Sequence, residues 1–182
     1  MEPVAKDYRI SGNQVYLRPI TAADTDMVLG WRNSDNVREN FIYRKPITKQ
    51  EHLDWLHNKV EIGLVHQFVV CSLADDKPQG CVYLQHFEEE NNKAESGIFL
   101  GDSIARGKGI GTEAVRLIVR YGFEQLGLHK IIARVLAYNE PSLRLHIRAG
   151  YEREAYFRED VRINGNYEDV VLFGIIHRNR EL

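Results

Sequence analysis

A glycine-rich segment over residues 106–112, with the sequence RGKGIGT, carries the residue types that most clearly indicate chemistry. It lies between a strand-like run that ends at Leu100 and a helix-like run that begins near Ile110. Its glycines let the backbone turn tightly and leave N–H groups uncovered at the positive end of a helix, which is what binding a pyrophosphate requires. Arg106 and Lys108 add positive charge at the same place. The segment therefore predicts a phosphate-bearing ligand, with a flexible surface loop as the alternative.

Two familiar phosphate-binding motifs do not fit this segment. The dinucleotide fingerprint places its third glycine three residues after the second, whereas Gly111 follows Gly109 by two. The ATP P-loop needs Ser or Thr directly after Gly-Lys, but Gly109 follows Lys108. A dinucleotide or ATP bound in either of these ways is therefore not expected.

Two signatures in the sequence match one known family. Arg106, Gly109 and Gly111 fill the pattern Gln or Arg, two residues, Gly, one residue, Gly or Ala. A second pattern follows further along the chain and is filled by Asn139, Ser142, Leu143, Leu145, Gly150 and Tyr151. In these residues the chain resembles the GNAT superfamily of acyl-coenzyme A N-acyltransferases. It looks most like the branch that holds ribosomal-protein-alanine, spermidine and amino-sugar acetyltransferases.

The resemblance implies acetyl-coenzyme A as the cosubstrate and no metal. Its pyrophosphate is expected on the N–H groups of residues 106–112, and its pantetheine arm beside the strand that ends at Leu100. The implied coenzyme-binding residues are Phe99, Leu100, Gly101, Arg106, Gly107, Lys108, Gly109, Ile110, Gly111, Thr112, Asn139 and Ser142. Asn139 also suits a helix N-cap and Ser142 an ordinary first-turn position, so both have a structural alternative.

The acid and base positions depart from the family's pattern. In many relatives a Tyr seven residues after the signature Asn protonates the departing thiolate, and here that position holds His146. His146 is the predicted acid because histidine donates a proton near neutral pH; packing is the alternative, and Tyr138 or Tyr151 are nearby substitutes. The Glu that some relatives carry five residues before the Asn is replaced by Arg134, which accepts no proton. Glu95 is therefore the predicted base, acting through water.

The altered base position bears on the acceptor amine. At pH 7 an α-amino group is roughly one tenth neutral, whereas an alkylamine such as that of lysine is below roughly one thousandth, a difference of about 3 kcal/mol. A lost base therefore favours an N-terminus or an amino sugar over a polyamine, although Glu95 or His86 can still serve. Acidic residues on the last hairpin keep a polyamine in consideration: Glu159, Asp160, Glu168 and Asp169.

The acceptor is expected between the N-terminal helices and the last hairpin, which the coenzyme does not use. The predicted acceptor-binding residues are Trp31, Arg32, Arg38 and Tyr156. Aromatic side chains can stack on a sugar or base, and the arginines can pair with a diphosphate. The region around Trp31 resembles enzymes that acetylate a nucleotide-linked 4-amino sugar. The alternative is that Trp31 is a core anchor and that the arginines lie on a solvated face.

The pattern of hydrophobic and turn-forming residues predicts one domain over residues 1–182. Its mixed sheet would position the candidate coenzyme- and acceptor-binding residues. The predicted order is strand, two helices, three strands, helix, strand, helix and two strands, which is also that of the resembled family. Thr21 and Thr48 are expected as helix N-caps, Gly150 as a helix end and Asn164-Gly165 as a hairpin turn. Because hairpins alternate with helical crossovers, an α/β (α+β) fold is expected, with a mostly antiparallel central sheet flanked by helices.

Composition limits the classes of function. With 43% hydrophobic and 27% charged residues among 182, the chain can bury a core, and a net charge of −2 provides no large basic field for nucleic acid. No apolar run reaches the about 18 residues of a membrane span, and no export signal is visible, so a cytoplasmic protein without a membrane partner is expected. Cys71 and Cys81 are interpreted as small core residues. The resemblance also allows a homodimer, which no residue pattern determines.

The sequence thus predicts an acetyl-coenzyme A-dependent N-acetyltransferase that acts on a primary amine. A small-molecule acceptor, a nucleotide-linked 4-amino sugar, is the first candidate. The alternatives are a protein N-terminus, as in the ribosomal-protein-alanine enzymes, and a polyamine, as in the spermidine enzymes. A rival of another class is a non-catalytic sensor that keeps the coenzyme site, which the altered acid and base positions would also fit.

Overall fold

A sheet of eight strands runs through the molecule. The computed structural model describes residues 2–101 and 107–177. The strands are β1 (Ile10–Ser11), β2 (Val15–Pro19), β3 (His66–Ser72), β4 (Pro78–Glu88), β5 (Lys93–Leu100), β6 (Lys130–Leu136), β7 (Glu152–Ile163) and β8 (Asn166–Ile176). Their order across the sheet is β1-β2-β3-β4-β5-β6-β8-β7. The β5–β6 pair is parallel and the other neighbours are antiparallel, so the predicted mostly antiparallel sheet is confirmed.

The helices lie between the strands as the sequence predicts, with some additions. They are α1 (Thr25–Arg32), α2 (Asp35–Arg38), α3 (Lys49–Trp55), α4 (Ile110–Glu124) and α5 (Glu140–Ala149). Sequence patterning missed the short elements β1 and α2, and also a π-helical turn over Leu56–Val60 that continues α3. β1 has two residues and α2 has four, and elements this short are missed because they show no hydrophobic periodicity.

Helix ends are determined locally. The Thr48 hydroxyl accepts from the Glu51 N–H at 3.2 Å, and the Glu51 carboxylate accepts from the Thr48 N–H at 2.7 Å, so α3 begins with a complete capping box. At Thr21 the hydroxyl donates to Asp24 instead, and a short 3₁₀ turn precedes α1. Gly150 ends α5 in the left-handed region at φ 105°, where glycine meets no Cβ penalty.

The two faces of the sheet carry separate apolar cores. Val70 and Leu84 pack on one face against α4, whose Ile118 is fully buried. On the other face, Val69 and Cys81 pack against the N-terminal helices. Successive strand residues point to opposite faces, so each strand contributes to both cores. Cys71 and Cys81 are buried free thiols in this second core, as predicted.

Candidate functional site

The sheet opens into a cleft between β5 and β6. The two strands pair at Lys93↔Lys130, Ala94↔Ile131 and Glu95↔Ile132, and beyond this point no pairing joins them, although both continue. A cavity of about 1080 Å³ occupies the opening and is lined by both strands. The facing strand edges carry backbone N–H and C=O groups without ladder partners, which an extended ligand can use as an added strand would. The fold therefore provides a slot suited to a pantetheine-like arm.

The glycine-rich segment meets this cavity at the start of α4. Gly107 and Gly109 adopt φ of 81° and 82°, a region that side chains with a Cβ rarely enter. Gly111 lies in the first turn, where an added Cβ would come within 2.8 Å of Leu145 Cδ1, so α4 and α5 pack closely here. The first N–H groups of a helix have no acceptor within it, which leaves them free for an anion. The residues present therefore fit a pyrophosphate at this end.

The predicted coenzyme-binding residues divide into three groups in the structure. Eight line the cavity: Phe99, Leu100, Gly107, Gly109, Gly111, Thr112, Asn139 and Ser142. Three lie beside it without lining it: Gly101 packs against the Trp31 indole, Lys108 is exposed, and Ile110 is buried in the core. Arg106 lies outside the described residues. Their roles toward the coenzyme stay predictions.

Asn139 and Ser142 also have the structural roles that were their alternatives. The Asn139 side chain accepts from the Ser142 N–H at 3.2 Å, so it caps α5. The Ser142 hydroxyl lies 3.4 Å from His146 Nδ1 within the same helix. Both residues line the cavity, so capping does not prevent contact with a ligand.

A second part of the cavity lies on the sheet face that carries the N-terminal helices. We call it the polar compartment and define it by Gln67, Tyr83, Gln85 and Glu95 on the strands and by Arg32, Phe41 and His52 on the opposite side. Cross-strand pairing brings the strand residues together, since Gln67 pairs with Tyr83 and Gln85 with Glu95. Sequence analysis named Glu95 and Arg32, and Phe41 and His52 belong to the N-terminal region in which the acceptor was expected, but the strand residues Gln67, Tyr83 and Gln85 were missed. The sequence does contain a signal for this face. Tyr83 and Gln85 are two residues apart and so lie on the same face of one strand, and Glu95 lies on the next strand.

Glu95 stands at the inner end of the cleft. It belongs to the last residue pair that joins β5 to β6, and its side chain is 18% exposed. Its Oε2 lies 3.1 Å from Nδ1 of His86, which is largely exposed. His86 adopts φ 51° at an irregularity in the pairing of β4, and such bulges redirect a side chain. A cavity carboxylate is thereby connected to solvent through an imidazole, an arrangement that can carry a proton outward.

Arg32 is the most deeply placed charge of the polar compartment. It is 8% exposed, its guanidinium lies 3.6 Å from the centre of the Phe41 ring, and its Nη2 donates to the Tyr43 carbonyl at 2.7 Å. Burial lowers its pKa from the usual value, and Tyr83 partly offsets that effect. Burial, with a smaller contribution from Glu95, raises the pKa of the neighbouring Tyr83 to about 12, so this phenol is neutral.

The geometry opposes the predicted role of His146 as the acid. The imidazole lines the cavity but is only 3% exposed, stacks on Phe173 with ring centroids 5.6 Å apart, and has a pKa lowered by burial. Its Nδ1 lies 2.9 Å from the Ser142 carbonyl, which can only accept, so Nδ1 carries the hydrogen. The neutral ring then has an unprotonated Nε2, which cannot donate. The alternative given with the prediction, a packed helix histidine, describes its surroundings better.

A different pair of hydroxyl groups lies where the strands separate. The Ser96 Oγ is 2.8 Å from the Tyr151 OH and 3.3 Å from the Ile132 carbonyl, so it bridges β5 and β6 at the base of the cleft. Ser96 lines the cavity, whereas Tyr151 is buried behind it with a pKa raised by burial. Sequence analysis named Tyr151 only as a substitute acid and missed Ser96. A serine in a strand has no local pattern that reveals which hydroxyl it will meet.

Three of the four predicted acceptor-binding residues do not line the cavity. Trp31 packs against Gly101, where an added Cβ would meet the indole at 2.1 Å. Arg38 forms an ion pair with Asp35 at 2.6 Å. The Tyr156 OH donates to Asp169 at 2.6 Å on the exposed last hairpin. Trp31 and Tyr156 contact residues far away in the chain, whereas Asp35 lies three residues before Arg38. Arg32 lines the cavity and the other three residues do not; the acceptor-binding roles of all four stay predictions.

The segment between α2 and α3 crosses the mouth of the polar compartment. The Asn33 side chain donates to the Ile47 carbonyl and accepts from the Ile47 N–H, both at 2.8 Å. On the other side of the cleft, the Tyr138 OH donates to the Glu39 carbonyl at 2.8 Å, and Arg44 also contacts this hydroxyl. The segment is therefore fastened to both sides of the cleft and narrows its opening.

No three His, Cys, Asp or Glu side chains within residues 2–101 and 107–177 are grouped so that they could hold a metal ion. Within the same ranges, no helix combines the length and the apolar character that crossing a bilayer requires.

Comparison with known proteins identifies the family. The sequence model described as "Acetyltransferase (GNAT) domain" matches residues 14–152. A probable N-acetyltransferase of Bacillus subtilis (strain 168) is 32% identical over 94% of this chain and 99% of its own length. The [ribosomal protein uS5]-alanine N-acetyltransferase of Escherichia coli (strain K12) is 26% identical over 78% of this chain and 79% of its own.

Solved structures show the same fold. A spermidine N-acetyltransferase from Vibrio cholerae, solved in complex with CoA and spermine, superposes with a TM-score of 0.82 at 24% identity, over 91% of this chain and 96% of that one. Since the family match spans most of the sequence and the matched relatives are N-acetyltransferases by name, the rival interpretation as a non-catalytic sensor is set aside. The chain belongs to the GNAT acetyltransferase family and is an N-acetyltransferase that uses acetyl-coenzyme A.

Proposed function

We propose that this enzyme acetylates the primary amine of a small molecule held in the polar compartment, with Glu95 accepting the proton of that amine. The observation that carries the proposal is the position of Glu95, which lies at the last β5–β6 pair and lines the cavity. There it faces the inner end of the slot suited to the pantetheine arm. A carboxylate at that point can reach the amine directly or through one water.

The reaction needs few groups from the protein. The amine nitrogen forms a bond to the thioester carbonyl carbon, the C–S bond breaks, and the proton lost by the amine is balanced by the one that the thiolate gains. Glu95 takes the first proton and His86 can pass it to solvent, since their side chains are 3.1 Å apart. The unpaired backbone N–H groups of β5 can donate hydrogen bonds to the thioester carbonyl oxygen as it becomes negative. The Ser96 hydroxyl can donate a hydrogen bond to the leaving sulfur.

Two observations bear on the acceptor class. The segment between α2 and α3 is fastened to Tyr138 and narrows the opening, which favours a small molecule over the N-terminus of a folded protein. The nucleotide-linked amino sugar loses the support expected from Trp31 and Arg38, which do not line the cavity, and keeps that of Arg32. Because relatives are named as spermidine and ribosomal-protein-alanine acetyltransferases, a polyamine and a protein N-terminus are both included in the test.

The test is release of the CoA thiol with a panel of acceptors. The panel contains small amines with and without acidic groups, spermidine, a nucleotide-linked 4-amino sugar and peptides with free N-termini. We expect turnover with small molecules at a kcat/KM well above that of any peptide. Turnover confined to peptides would overturn the proposal, and so would full activity of Glu95→Gln on the best acceptor.

A further inference from the structure

The buried guanidinium of Arg32 lacks the partner that such a group normally has. Among the described residues, Arg32 forms no ion pair with a carboxylate, and its Nη1 is buried without a hydrogen-bond partner. Its two visible interactions, with the Phe41 ring and the Tyr43 carbonyl, hold the group in place but supply no negative charge. Because Arg32 lines the polar compartment, a ligand bound there can supply that charge.

An unpaired buried charge destabilises the folded protein, and the guanidinium of Arg32 is positioned so that an anion could relieve this. A buried donor without a partner destabilises the folded chain, and more so when the group is charged. Water does not reach Nη1, so an oxyanion that displaces the side chain slightly would gain a charge-assisted hydrogen bond without first removing solvent from that atom. Stacking on Phe41 limits the rotation of the guanidinium and lowers the entropy cost of binding.

The remaining charges of the polar compartment do not suit a polycation. Glu95 is paired with His86, and Glu51 closes the capping box of α3 with Thr48. Arg38 lies close enough to Arg32 to contribute to the lowering of the Arg32 pKa. A polyamine would therefore bring further positive charge to a region that already has an unpaired guanidinium.

We propose that the acceptor carries a carboxylate or phosphate group close to its amine, and that Arg32 binds this group while Glu95 receives the amine. Both side chains act on Tyr83, which lies between β3 and β5 on the floor of the compartment, so one compact molecule can contact both. The chemical class is an amine with a nearby oxyanion, such as an amino acid or an amino phosphate ester. This inference rests on the proposed function and specifies its substrate.

The experiment compares matched acceptors that differ only in the anionic group. The pairs are an α-amino acid with its α-amide, and O-phosphoethanolamine with ethanolamine; spermidine is the polycationic comparison. For each pair, kcat/KM is measured with native enzyme, with Arg32→Gln and with Arg38→Gln, the last being a matched control because Arg38 is paired with Asp35 outside the cavity. The preference is the ratio of kcat/KM for the anionic member to kcat/KM for the uncharged member. The two amines of a pair differ in pKa, and this difference cancels when the preference of each variant is divided by that of the native enzyme.

We expect the native enzyme to prefer the anionic member of at least one pair, and Arg32→Gln to reduce that preference by about tenfold or more. The loss in Arg32→Gln should be larger on the anionic member than on the uncharged member of the pair, and Arg38→Gln should keep the native preference. If Arg32→Gln does not fold, Arg32→Lys, which keeps the charge but not the planar donor pair, should retain part of the preference. The two pairs separate carboxylate from phosphate.

Two results would overturn the inference: a native preference for the uncharged or polycationic acceptors, or equal losses on both members of each pair in Arg32→Gln. Both leave the proposed function standing, since turnover of a small amine would have been observed. Absence of thiol release with every small amine would instead overturn the proposed function itself.

Discussion

Ser96 Oγ and the Tyr151 OH lie 2.8 Å apart at the point where β5 and β6 separate. Ser96 lines the cavity, and Tyr151 is fully enclosed behind it. The pair therefore joins the base of the cleft to the interior through hydroxyl groups, each of which can donate and accept. Neither group is charged, so the pair can donate a hydrogen bond to a nearby thiolate, and stabilise it, without becoming a buried ion itself.

Tyr151→Phe tests this pair. The substitution keeps the ring and removes the hydroxyl, so we expect a loss of about 1 kcal/mol in the free energy of unfolding. If the pair stabilises the leaving thiolate by hydrogen bonding, kcat should also fall by about tenfold or more, with the Kd of acetyl-CoA unchanged. Tyr121→Phe is the control, because that buried hydroxyl is bonded to His66 at 2.8 Å and does not line the cavity. Equal kcat values for the two variants would show that the pair does not assist departure of the thiolate.

Glu95→Gln should lower kcat by about 10²–10⁴-fold, because the amide keeps the shape of the side chain but accepts no proton from the amine. The remaining activity should rise with pH as more of the amine becomes neutral. His86→Asn should cause a smaller loss, since water can replace an exposed relay. Glu88→Gln is the matched control: it removes a carboxylate that pairs with Lys93 on the same two strands, outside the cavity. Measured kcat–pH profiles decide between a base and a binding role.

His146→Phe should leave kcat at pH 7.5 within about twofold of the native value. Phe fits between Phe173 and Tyr151, whose rings lie 5.6 and 5.3 Å from that of His146. Burial lowers the pKa of His146, so near neutral pH the native ring has no proton on Nε2 to donate. A loss of kcat by tenfold or more, with an unchanged Kd for acetyl-CoA, would restore His146 as the acid.

Sequence reasoning was reliable where a few neighbouring residues determine the structure. The Thr48–Glu51 capping box, the Asn139 cap and the turn at Asn164-Gly165 depend on local hydrogen bonds and positive φ values, which residue types specify directly. The glycine-rich start of α4 belongs to the same class, because only glycine fits its φ values easily.

The acceptor side was less predictable, because part of it depends on partners far away in the chain. Nothing near Trp31 in the sequence shows that Gly101 will receive its indole, whereas Asp35, the partner of Arg38, lies only three residues away and could have been found from the spacing. The separation of β5 from β6, which creates the cavity, is a property of the whole sheet. Arg32 could be named from its type and position, but its lack of a carboxylate partner is visible only after folding.

His66 should make the protein sensitive to acid. Burial lowers its pKa from 6.5 to about 4. Between these values the unfolded chain binds a proton that the folded chain does not, so the free energy of unfolding falls as pH drops from 6.5 to 4, by about 3 kcal/mol in total. His66→Gln, which can keep the bond to the Tyr121 OH, should remove that part of the slope.

Urea unfolding at pH 7.5 and pH 4.5 measures the effect of His66→Gln. His57→Gln is the control, because His57 is exposed and should leave the native slope in place. Identical slopes for the two variants would show that His66 does not contribute to acid sensitivity.

Gly109→Ala and Gly127→Ala separate backbone strain from coenzyme binding. Both glycines have positive φ, at 82° and 65°, and lie at opposite ends of α4. Neither has a close neighbour that a Cβ would strike, since the one contact within 4 Å is Gln14 Nε2, 3.9 Å from Gly109. Forcing alanine into this region costs about 1–2 kcal/mol, so both variants should lose similar stability in urea unfolding.

Of these two variants, only Gly109→Ala should weaken the binding of acetyl-CoA. Relief of its strain would turn the backbone at the start of α4, whose first N–H groups are predicted to bind the pyrophosphate. Gly127 follows the other end of the helix and lies outside the cavity. We expect the Kd measured by calorimetry to rise by about tenfold or more in Gly109→Ala and to stay at the native value in Gly127→Ala. Native affinity in Gly109→Ala, combined with the same loss of stability, would mean that the coenzyme is not held by this turn of backbone.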